Sequence, residues 1–270
     1  MKWTKQDIIK YYHYNEFGYK LWGPDMHFGY WEDDVKTQRQ ASLRFNEVMA
    51  KTANITSDDH VLDAGCGVGG ASIFLAKKYG CKATGITITP RQVELAYKNA
   101  EKAGVAHLVN FHEMDYHNTT FDNKTFSVVW GLESICYAEK GKFINEAFRV
   151  LKEGGRLVVG DGFASREKYE GKDAKLMQRW LDGWIVNGLK TPEDFKKYSL
   201  DAGFSETNYT NITENVKKTS RIMLCVSLFF LPLHLVDKVI SIQYPTDALW
   251  NQYFAMKKRL WEYGIFLASK

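Results

Sequence analysis

Long apolar runs are missing from this 270-residue sequence. The longest, Ile222 to Val236, is interrupted by Pro232 and His234 and is shorter than the roughly 20 residues that a helix needs to cross a bilayer. The first seven residues contain no apolar core followed by a small-residue cleavage site, so they do not indicate secretion. We therefore expect a cytoplasmic protein without stable membrane insertion.

Basic blocks and metal-ligand spacings are missing as well. The formal net charge of +4 arises from 36 basic and 32 acidic residues spread along the chain, without the Lys/Arg block that is typical of a nucleic-acid-binding arm. The cysteines are far apart and form neither a CxxC pair nor a spacing with histidines that suits a metal. The sequence thus predicts no nucleic-acid partner, no metal, and reduced, mostly buried thiols at Cys66, Cys81, Cys136 and Cys225.

The central part of the chain, from about Asp58 to Val159, alternates short β-branched runs with longer helical stretches. This alternation favours an α/β fold with a parallel sheet and helices on its faces. Gly154, after the last of these helices, suits the left-handed position that ends a helix. The predicted strands are His60–Asp63, Cys81–Ile88, Leu108–His112, Phe126–Trp130 and Arg156–Gly160, and the predicted helices are Gly70–Tyr79, Pro90–Gly104 and Lys142–Leu151.

The segments on either side of this core differ from it in composition. The stretch from Tyr11 to Trp31 is rich in aromatic side chains, and Lys172 to Val239 reads mainly as helices before a strand at Leu260 to Ala268. An inserted helical stretch of this kind in an α/β enzyme is often a lid over the pocket. We therefore predict an N-terminal helical segment at 1–57, a core at 58–165, a helical lid or acceptor region at 166–240, and strands at 241–270 that complete the core sheet.

Three glycines at alternate positions, Gly65, Gly67 and Gly69, stand directly after the first predicted strand and before a helix. Such a turn brings the backbone close to a ligand, and the helix N-terminus offers unpaired N–H groups. The GxGxG spacing differs from the dinucleotide pattern GxGxxG, which favours a ligand without a pyrophosphate. Asp63 at the tip of the strand suits a ligand that carries an ammonium group. A tight turn without a ligand is the alternative.

Two segments resemble a known family. Asp63 to Gly70, DAGCGVGG, is similar to the S-adenosylmethionine-binding motif of the class I, Rossmann-like methyltransferases. Gly85 to Gln92, GITITPRQ, resembles the second-strand motif of the subfamily that contains sterol C-methyltransferases, tocopherol methyltransferases and cyclopropane fatty acid synthases. The resemblance covers about Val61 to Gly160, and the aromatic leader extends it to about Tyr11. It implies a mostly parallel seven-stranded sheet with helices on both faces, an N-terminal helical segment and an inserted helical lid.

The resemblance also implies S-adenosylmethionine as the cofactor and a set of residues that bind it. Most of the superfamily carries an acidic residue for the ribose hydroxyls at the end of the second strand, where this chain has Thr87. Asp115 stands where relatives accept from the adenine amino group, although it could instead cap a turn. The implied cofactor-binding residues are Tyr14, Tyr30, Asp63, Gly65, Gly67, Gly69, Thr87, Gln92, Asp115, Tyr116 and Trp130.

Catalytic candidates follow the fourth strand and lie in the leader. The segment from Glu133 to Tyr137 resembles a sterol C-methyltransferase stretch in which a Glu is followed by Cys and His, but here Tyr137 replaces the His. Glu133 could stabilise a cation or accept a proton, and aromatic faces could contribute cation–π attraction. His27 is the other polar candidate in the leader, and ordinary packing is the alternative for it and for each ring. The rings concerned are Tyr14, Tyr30, Trp31 and Tyr137.

The resulting prediction is a small-molecule methyltransferase with a lipophilic acceptor, such as a terpenoid, sterol, lipid or prenylated ring, methylated at carbon. The apolar stretch Ile222 to Leu233 could line such a pocket, pack as a lid or form a subunit contact, which leaves a homodimer open. The alternatives are N- or O-methylation of a small polar metabolite, a non-catalytic S-adenosylmethionine-binding module, and methylation of RNA or protein.

Overall fold

A seven-stranded sheet forms the centre of the computed structural model, in the order β3-β2-β1-β4-β5-β7-β6. The structure describes residues 2–16, 23, 25–229 and 246–270. Neighbouring strands from β3 to β5 are parallel, whereas β7 is antiparallel to both β5 and β6. The strands are β1 (His60–Ala64), β2 (Lys82–Thr87), β3 (Val109–Glu113), β4 (Phe126–Leu132), β5 (Leu151–Ala164), β6 (Glu206–Asn211) and β7 (Trp261–Ser269).

Helices cover both faces of this sheet, as the α/β pattern predicts. Apolar cores lie on the two faces, and successive residues of a strand enter opposite cores because side chains alternate along it. Val61, for example, belongs to one core and Leu62 to the other. The helices are α1 (Lys5–Tyr14), α2 (Gln38–Thr52), α3 (Gly70–Tyr79), α4 (Pro90–Ala103), α5 (Lys140–Val150), α6 (Gly171–Gly183), α7 (Pro192–Ala202), α8 (Thr213–Phe229) and α9 (Thr246–Lys257).

The strand order reverses between β1 and β4, and this reversal positions the site. Strands β2 and β3 extend from one side of β1, whereas β4 and β5 extend from the other. In an open parallel sheet, ligands bind in the crevice outside the carboxyl ends of the strands at such a switch point. The turns after β1, β2 and β4, which the sequence singled out, therefore meet at one edge of the sheet.

Two sequence predictions about the second half of the chain were wrong. Strand β6 lies in the region predicted to be helical, and its residues Glu206 to Asn211 are largely exposed. This edge strand is made of polar residues, so it carries no apolar alternation that would have revealed it. The segment 241–270 contributes helix α9 and the single strand β7 in its described part, rather than several strands.

Gly154 also has a different role from the one predicted. Its φ of +70° is left-handed, as expected, but α5 already ends at Val150 and the C-cap is Leu151. Gly154 lies within β5, near the place where the β4–β5 pairing shifts register. Its N–H donates to the carbonyl oxygen of Lys270. The glycine thus shapes an irregular strand start instead of a helix end.

Several expectations concern the apolar content of the late helical region and the cysteines. Residues 230–233 of the stretch from Ile222 to Leu233 lie outside the described residues. Among the helices that the structure describes, none has both the length and the apolar character needed to span a membrane. Of the four thiols, Cys66 and Cys81 are buried, Cys136 is partly buried and Cys225 is exposed, so the expectation that most are buried holds for only two.

Candidate active site

A cavity of about 260 Å³ opens at the carboxyl edge of the sheet, between the turns after β1, β2 and β4 and helix α1. Leader residues 25–27 form part of its wall, and Asn187 lies on the wall from the loop after α6. The cavity brings together ten of the fourteen predicted site residues: His27, Asp63, Gly65, Gly67, Thr87, Gln92, Asp115, Tyr116, Glu133 and Tyr137.

The three glycines of the loop after β1 all have left-handed backbones, with φ of +87° at Gly65, +52° at Gly67 and +86° at Gly69. A Cβ at Gly65 would meet Cβ of Ser134 at 2.4 Å, so this position must remain glycine for the loop to pack. A Cβ at Gly67 would meet only the methyl carbon of Met26, at 3.3 Å. Gly67 therefore keeps open the space beside Met26, which is the cradle that a ligand requires. Gly69 lies behind the cavity as the N-cap of α3.

Asp63, the next-to-last residue of β1, carries a buried carboxyl group. Its Oδ2 accepts from the hydroxyl of Ser72 at 2.6 Å, which ties the strand to the first turn of α3. Burial raises the pKa of Asp63 to about 6, because the charged form is poorly solvated there. A cationic ligand in the cavity would favour the ionised form.

Polar groups also lie at the ends of β2 and β3. The hydroxyl of Thr87 donates to Oε1 of Gln92 at 2.7 Å, so these two predicted cofactor-binding residues are held together. Asp115 accepts from His117 through Nδ1 at 2.7 Å and through the backbone N–H at 3.0 Å. These hydrogen bonds and the nearby Lys5 lower the pKa of Asp115 to about 2, so its carboxylate stays charged at physiological pH.

Glu133 lies at the end of β4 in a buried, strained position, with φ of +49°. Its Oε1 accepts from the Phe28 N–H at 2.6 Å and from the Tyr263 hydroxyl at 2.5 Å. Burial, with a smaller contribution from the nearby Asp161 carboxyl, outweighs these hydrogen bonds and raises the pKa of Glu133 to about 8. The side chain is therefore mostly protonated at neutral pH.

The remaining groups near Glu133 come from distant parts of the chain. Tyr12 of α1 lies with its hydroxyl 3.4 Å from that of Tyr137, which belongs to the 3-10 helix Ile135–Tyr137. Asp161 of β5 accepts from the backbone N–H groups of Cys136 at 2.8 Å and Gly162 at 2.7 Å. Sequence reasoning missed Tyr12, Asp161 and Tyr263, because each lies in a strand or helix without a motif of its own.

Besides Gly69, three more of the predicted cofactor contacts do not reach the cavity wall. Tyr14 is 78% exposed at the end of α1. Tyr30 stacks on Phe45, with ring centroids 6.5 Å apart, and Trp130 is fully buried in the core under the sheet. Trp31, predicted as a cation–π face, is also buried and donates to the Thr219 hydroxyl. Tyr30 and Trp31 thus have the packing role that was the alternative for each ring, whereas Tyr14 faces solvent.

The charges on the cavity wall suit a cationic ligand. Four acidic residues lie on the described part of the wall, Asp25, Asp63, Asp115 and Glu133, and one lysine, Lys5, opposes them. Glu133 adds little negative charge at neutral pH, because its pKa is raised to about 8. Charges of one sign that face a poorly hydrated cavity attract the opposite sign. Together with the space beside Gly67, this donor set fits S-adenosylmethionine, which carries a sulfonium and an ammonium group.

Comparisons with known proteins agree with this geometry. Residues 61–155 match the family model described as a methyltransferase domain. The chain is 29% identical to sarcosine/dimethylglycine N-methyltransferase from Halorhodospira halochloris, over 73% of this chain and 71% of the relative. It is 30% identical to the chloroplastic tocopherol O-methyltransferase of Arabidopsis thaliana, over 73% of this chain and 58% of the relative. The chain thus spans little more than half the length of this tocopherol O-methyltransferase.

The fold has solved counterparts. The cyclopropane synthase MmaA2 from Mycobacterium tuberculosis superposes with a TM-score of 0.85, covering 98% of both chains at 13% sequence identity. At this identity the likeness concerns the fold, and it confirms the predicted Rossmann-like methyltransferase architecture.

Proposed function

Because the chain belongs to the class I S-adenosylmethionine-dependent methyltransferases, we propose that it methylates a small lipophilic acceptor that enters the cavity beside Glu133. When bound, the cofactor supplies an electrophilic methyl group. The cavity wall is what supports a lipophilic acceptor. Apolar and aromatic side chains form part of that wall, namely Ile8, Tyr12, Leu132 and Tyr137. Pockets for small apolar ligands are built in this way.

In this proposal, residues at the ends of β1, β2 and β3 bind the cofactor. Gly65 and Gly67 give the ligand access to the backbone, Thr87 and Gln92 face the ribose, and Asp115 accepts from the adenine amino group. The pair of His117 and Asp115 supports the last assignment. Nε2 of His117 accepts from the Glu139 N–H at 2.9 Å, so Nδ1 carries the proton and donates to Asp115.

Glu133 is the proposed proton acceptor on the side of the methyl acceptor. With its pKa raised to about 8, roughly one molecule in ten carries the ionised form at pH 7. The ionised carboxylate can take a proton from the methylated carbon, and the same group can stabilise positive charge that develops there. Tyr137 and Tyr12 orient the acceptor through their rings and hydroxyls. Alignment of the two reactants is the other large contribution that a protein makes to such a displacement.

The remaining assignments concern the flanks and the setting. We propose that the leader and α1 close over the cofactor, because Trp3, Lys5 and Tyr12 lie on the cavity wall. The small, evenly spread net charge supports a protein without a nucleic-acid partner. A cytoplasmic location stays a prediction. Of the segment 166–240, we propose a lid role only for the loop that carries Asn187, which lies on the cavity wall, because β6 belongs to the sheet.

A second candidate is N- or O-methylation of a small polar metabolite. The similarity to an enzyme named for sarcosine and dimethylglycine favours it. The two candidates differ in the acceptor and not in the cofactor site.

Turnover with a panel of acceptors tests the proposal. The protein and S-adenosylmethionine are incubated with a prenylated phenol, an allylic isoprenoid, a sterol or sarcosine, and S-adenosylhomocysteine and methylated product are followed by mass spectrometry. We expect product with a lipophilic acceptor and a loss of about 100-fold or more in Glu133→Gln. Product with sarcosine alone would favour the second candidate. Cofactor binding without product from any acceptor would favour a non-catalytic module.

A further inference from the structure

Asp25 is a carboxyl side chain at the edge of the glycine loop. Its side chain is 13% exposed, and its Oδ1 accepts from the amide of Asn46 at 3.1 Å. Within the described residues, no lysine or arginine lies within ion-pair distance of it. An unpaired carboxylate in a partly buried site is costly, and a cationic ligand in the cavity would offset that cost.

His27 offers a second acceptor at the same place. Its Nδ1 lies 2.7 Å from the carbonyl oxygen of Phe28, which can only accept, so Nδ1 carries the proton. Burial lowers the pKa of His27, and the ring is neutral with its lone pair on Nε2. His27 is 6% exposed, and its Nε2 has no hydrogen-bond partner among the protein atoms. A buried polar atom of this kind calls for an explanation.

The two acceptors are spaced for one donor. Nε2 of His27 lies 3.9 Å from Oδ1 of Asp25. Two acceptors at this separation can both lie within about 2.9 Å of a single ammonium nitrogen. Both residues line the cavity, and Met26 between them is the side chain that a Cβ at Gly67 would meet. The pair therefore faces the glycine loop, whereas Asp115 serves the far end of the site.

We propose that Asp25 and His27 form the subsite for the α-ammonium group of the cofactor's methionyl portion, an inference that rests on the proposed function. The sequence assigned an ammonium group to Asp63, but Asp63 already accepts from Ser72 and anchors α3. The resemblance also implied that Tyr14 and Tyr30 bind the cofactor, and neither lines the cavity. His27 is then a cofactor-binding residue and not a base for the methyl acceptor.

A comparison of two ligands by isothermal titration calorimetry isolates this subsite. The ligands are S-adenosylhomocysteine and the analogue that lacks only its amino group. We expect Asp25→Asn to weaken S-adenosylhomocysteine about 10- to 100-fold, in the range of a charged hydrogen bond, and to leave the analogue unchanged. His27→Asn keeps a donor for the Phe28 carbonyl and removes only the Nε2 acceptor, so we expect a smaller loss with the same selectivity. Asp33→Asn, at an exposed leader residue, is the matched control.

The outcomes separate this inference from the proposed function. Equal weakening of both ligands by Asp25→Asn, or weakening of neither, overturns the inference while cofactor binding stands. If the wild-type protein binds the amino-free analogue as tightly as S-adenosylhomocysteine, the inference is overturned. This comparison needs no variant, so it holds even if a variant does not fold. A wild-type protein that binds neither ligand contradicts the proposed function itself.

Discussion

Glu133 depends on three neighbours from separate parts of the chain. The Tyr263 hydroxyl and the Phe28 N–H both donate to it and lower its pKa, whereas burial and the Asp161 carboxyl raise it. Tyr12 and Cys136 also lie nearby but stay neutral, because burial raises the pKa of both. The protonation of Glu133 is therefore adjustable in both directions by conservative substitutions.

We expect Tyr263→Phe and Asp161→Asn to move the pH profile of kcat in opposite directions. Phenylalanine removes a hydrogen bond that stabilises the carboxylate, so the rise of activity with pH moves to higher pH. Asparagine removes a neighbouring negative charge, so the rise moves to lower pH. Each shift should be about one pH unit, the equivalent of one hydrogen bond. The check is a steady-state profile from pH 6 to 10.

Opposite shifts are the informative result, since general damage to the site would lower kcat in both variants without separating their profiles. Profiles that move in the same direction, or not at all, would show that the ionisation of Glu133 does not control the rate-limiting step.

At the scale of elements, the loop after β1 combines a packing requirement with a ligand requirement. Gly65 is blocked by Ser134, whereas Gly67 faces open space near Met26. Alanine at the two positions should therefore have different consequences.

We expect Gly65→Ala to lower the free energy of unfolding by about 3 kcal/mol or more, because its Cβ would collide with Ser134 and its backbone is left-handed. Gly67→Ala should cost only about 1–2 kcal/mol from the left-handed backbone, yet it should weaken S-adenosylhomocysteine because its methyl enters the cavity. Urea unfolding and calorimetry measure the two effects. A Gly67 variant with normal affinity would place the ligand elsewhere.

Helix α1 is held over the cavity by a contact outside the core. The side chain of Asn187 accepts from the Trp3 N–H at 2.8 Å and donates to the Trp3 carbonyl at 2.9 Å. Lys2 adds an ion pair of 2.7 Å with Asp182. These contacts link the leader to the segment after α6.

We expect Asn187→Ala to raise the dissociation rate of S-adenosylhomocysteine about tenfold, since two hydrogen bonds that keep α1 in place are lost. Trypsin should also cleave more readily after Lys5 or Lys10. Stopped-flow displacement measures the rate, and Asn110→Ala, on the exposed side of β3, is the control. An unchanged rate would show that α1 does not close the site.

At the scale of the whole molecule, the site is built at some expense of stability. The pKa of Glu133 rises from an ordinary 4.5 to about 8 in the folded state. Between these values the folded protein retains a proton that the unfolded chain has lost, so rising pH favours unfolding. Above about 8 both states are ionised, and the contribution no longer changes.

We expect the stability of wild type relative to Glu133→Gln to fall as pH rises from 4.5 to 8, by up to about 1.4 kcal/mol per pH unit. Glutamine does not titrate and keeps an acceptor for Phe28 and Tyr263. Urea unfolding at pH 5, 6.5 and 8 provides the comparison, with Glu206→Gln on the exposed edge strand as the control. A difference that stays constant or grows with pH would mean that Glu133 is ionised in the folded protein.

Much of the core was readable from the sequence. The strands from β1 to β4 fall within about two residues of their predicted bounds, because buried parallel strands form short apolar runs and the helices between them have clear ends. The turn after β1 was readable because only glycine tolerates its backbone. Two features could not be predicted from the sequence. The polar strand β6 depends on its pairing with β7, and the start of β5 near Gly154 depends on a register shift in the sheet.

By itself, then, the sequence determined the alternation of strands and helices, the glycine loop and the class of cofactor, all of which depend on residues close together in the chain. The tertiary structure alone decided which polar groups share the site. Glu133 meets Phe28 and Tyr263 across more than a hundred residues each, and Tyr14, Tyr30 and Trp130 turn away from it. Protonation, burial and unsatisfied hydrogen bonds depend on the neighbours that folding brings together, and no local pattern encodes them.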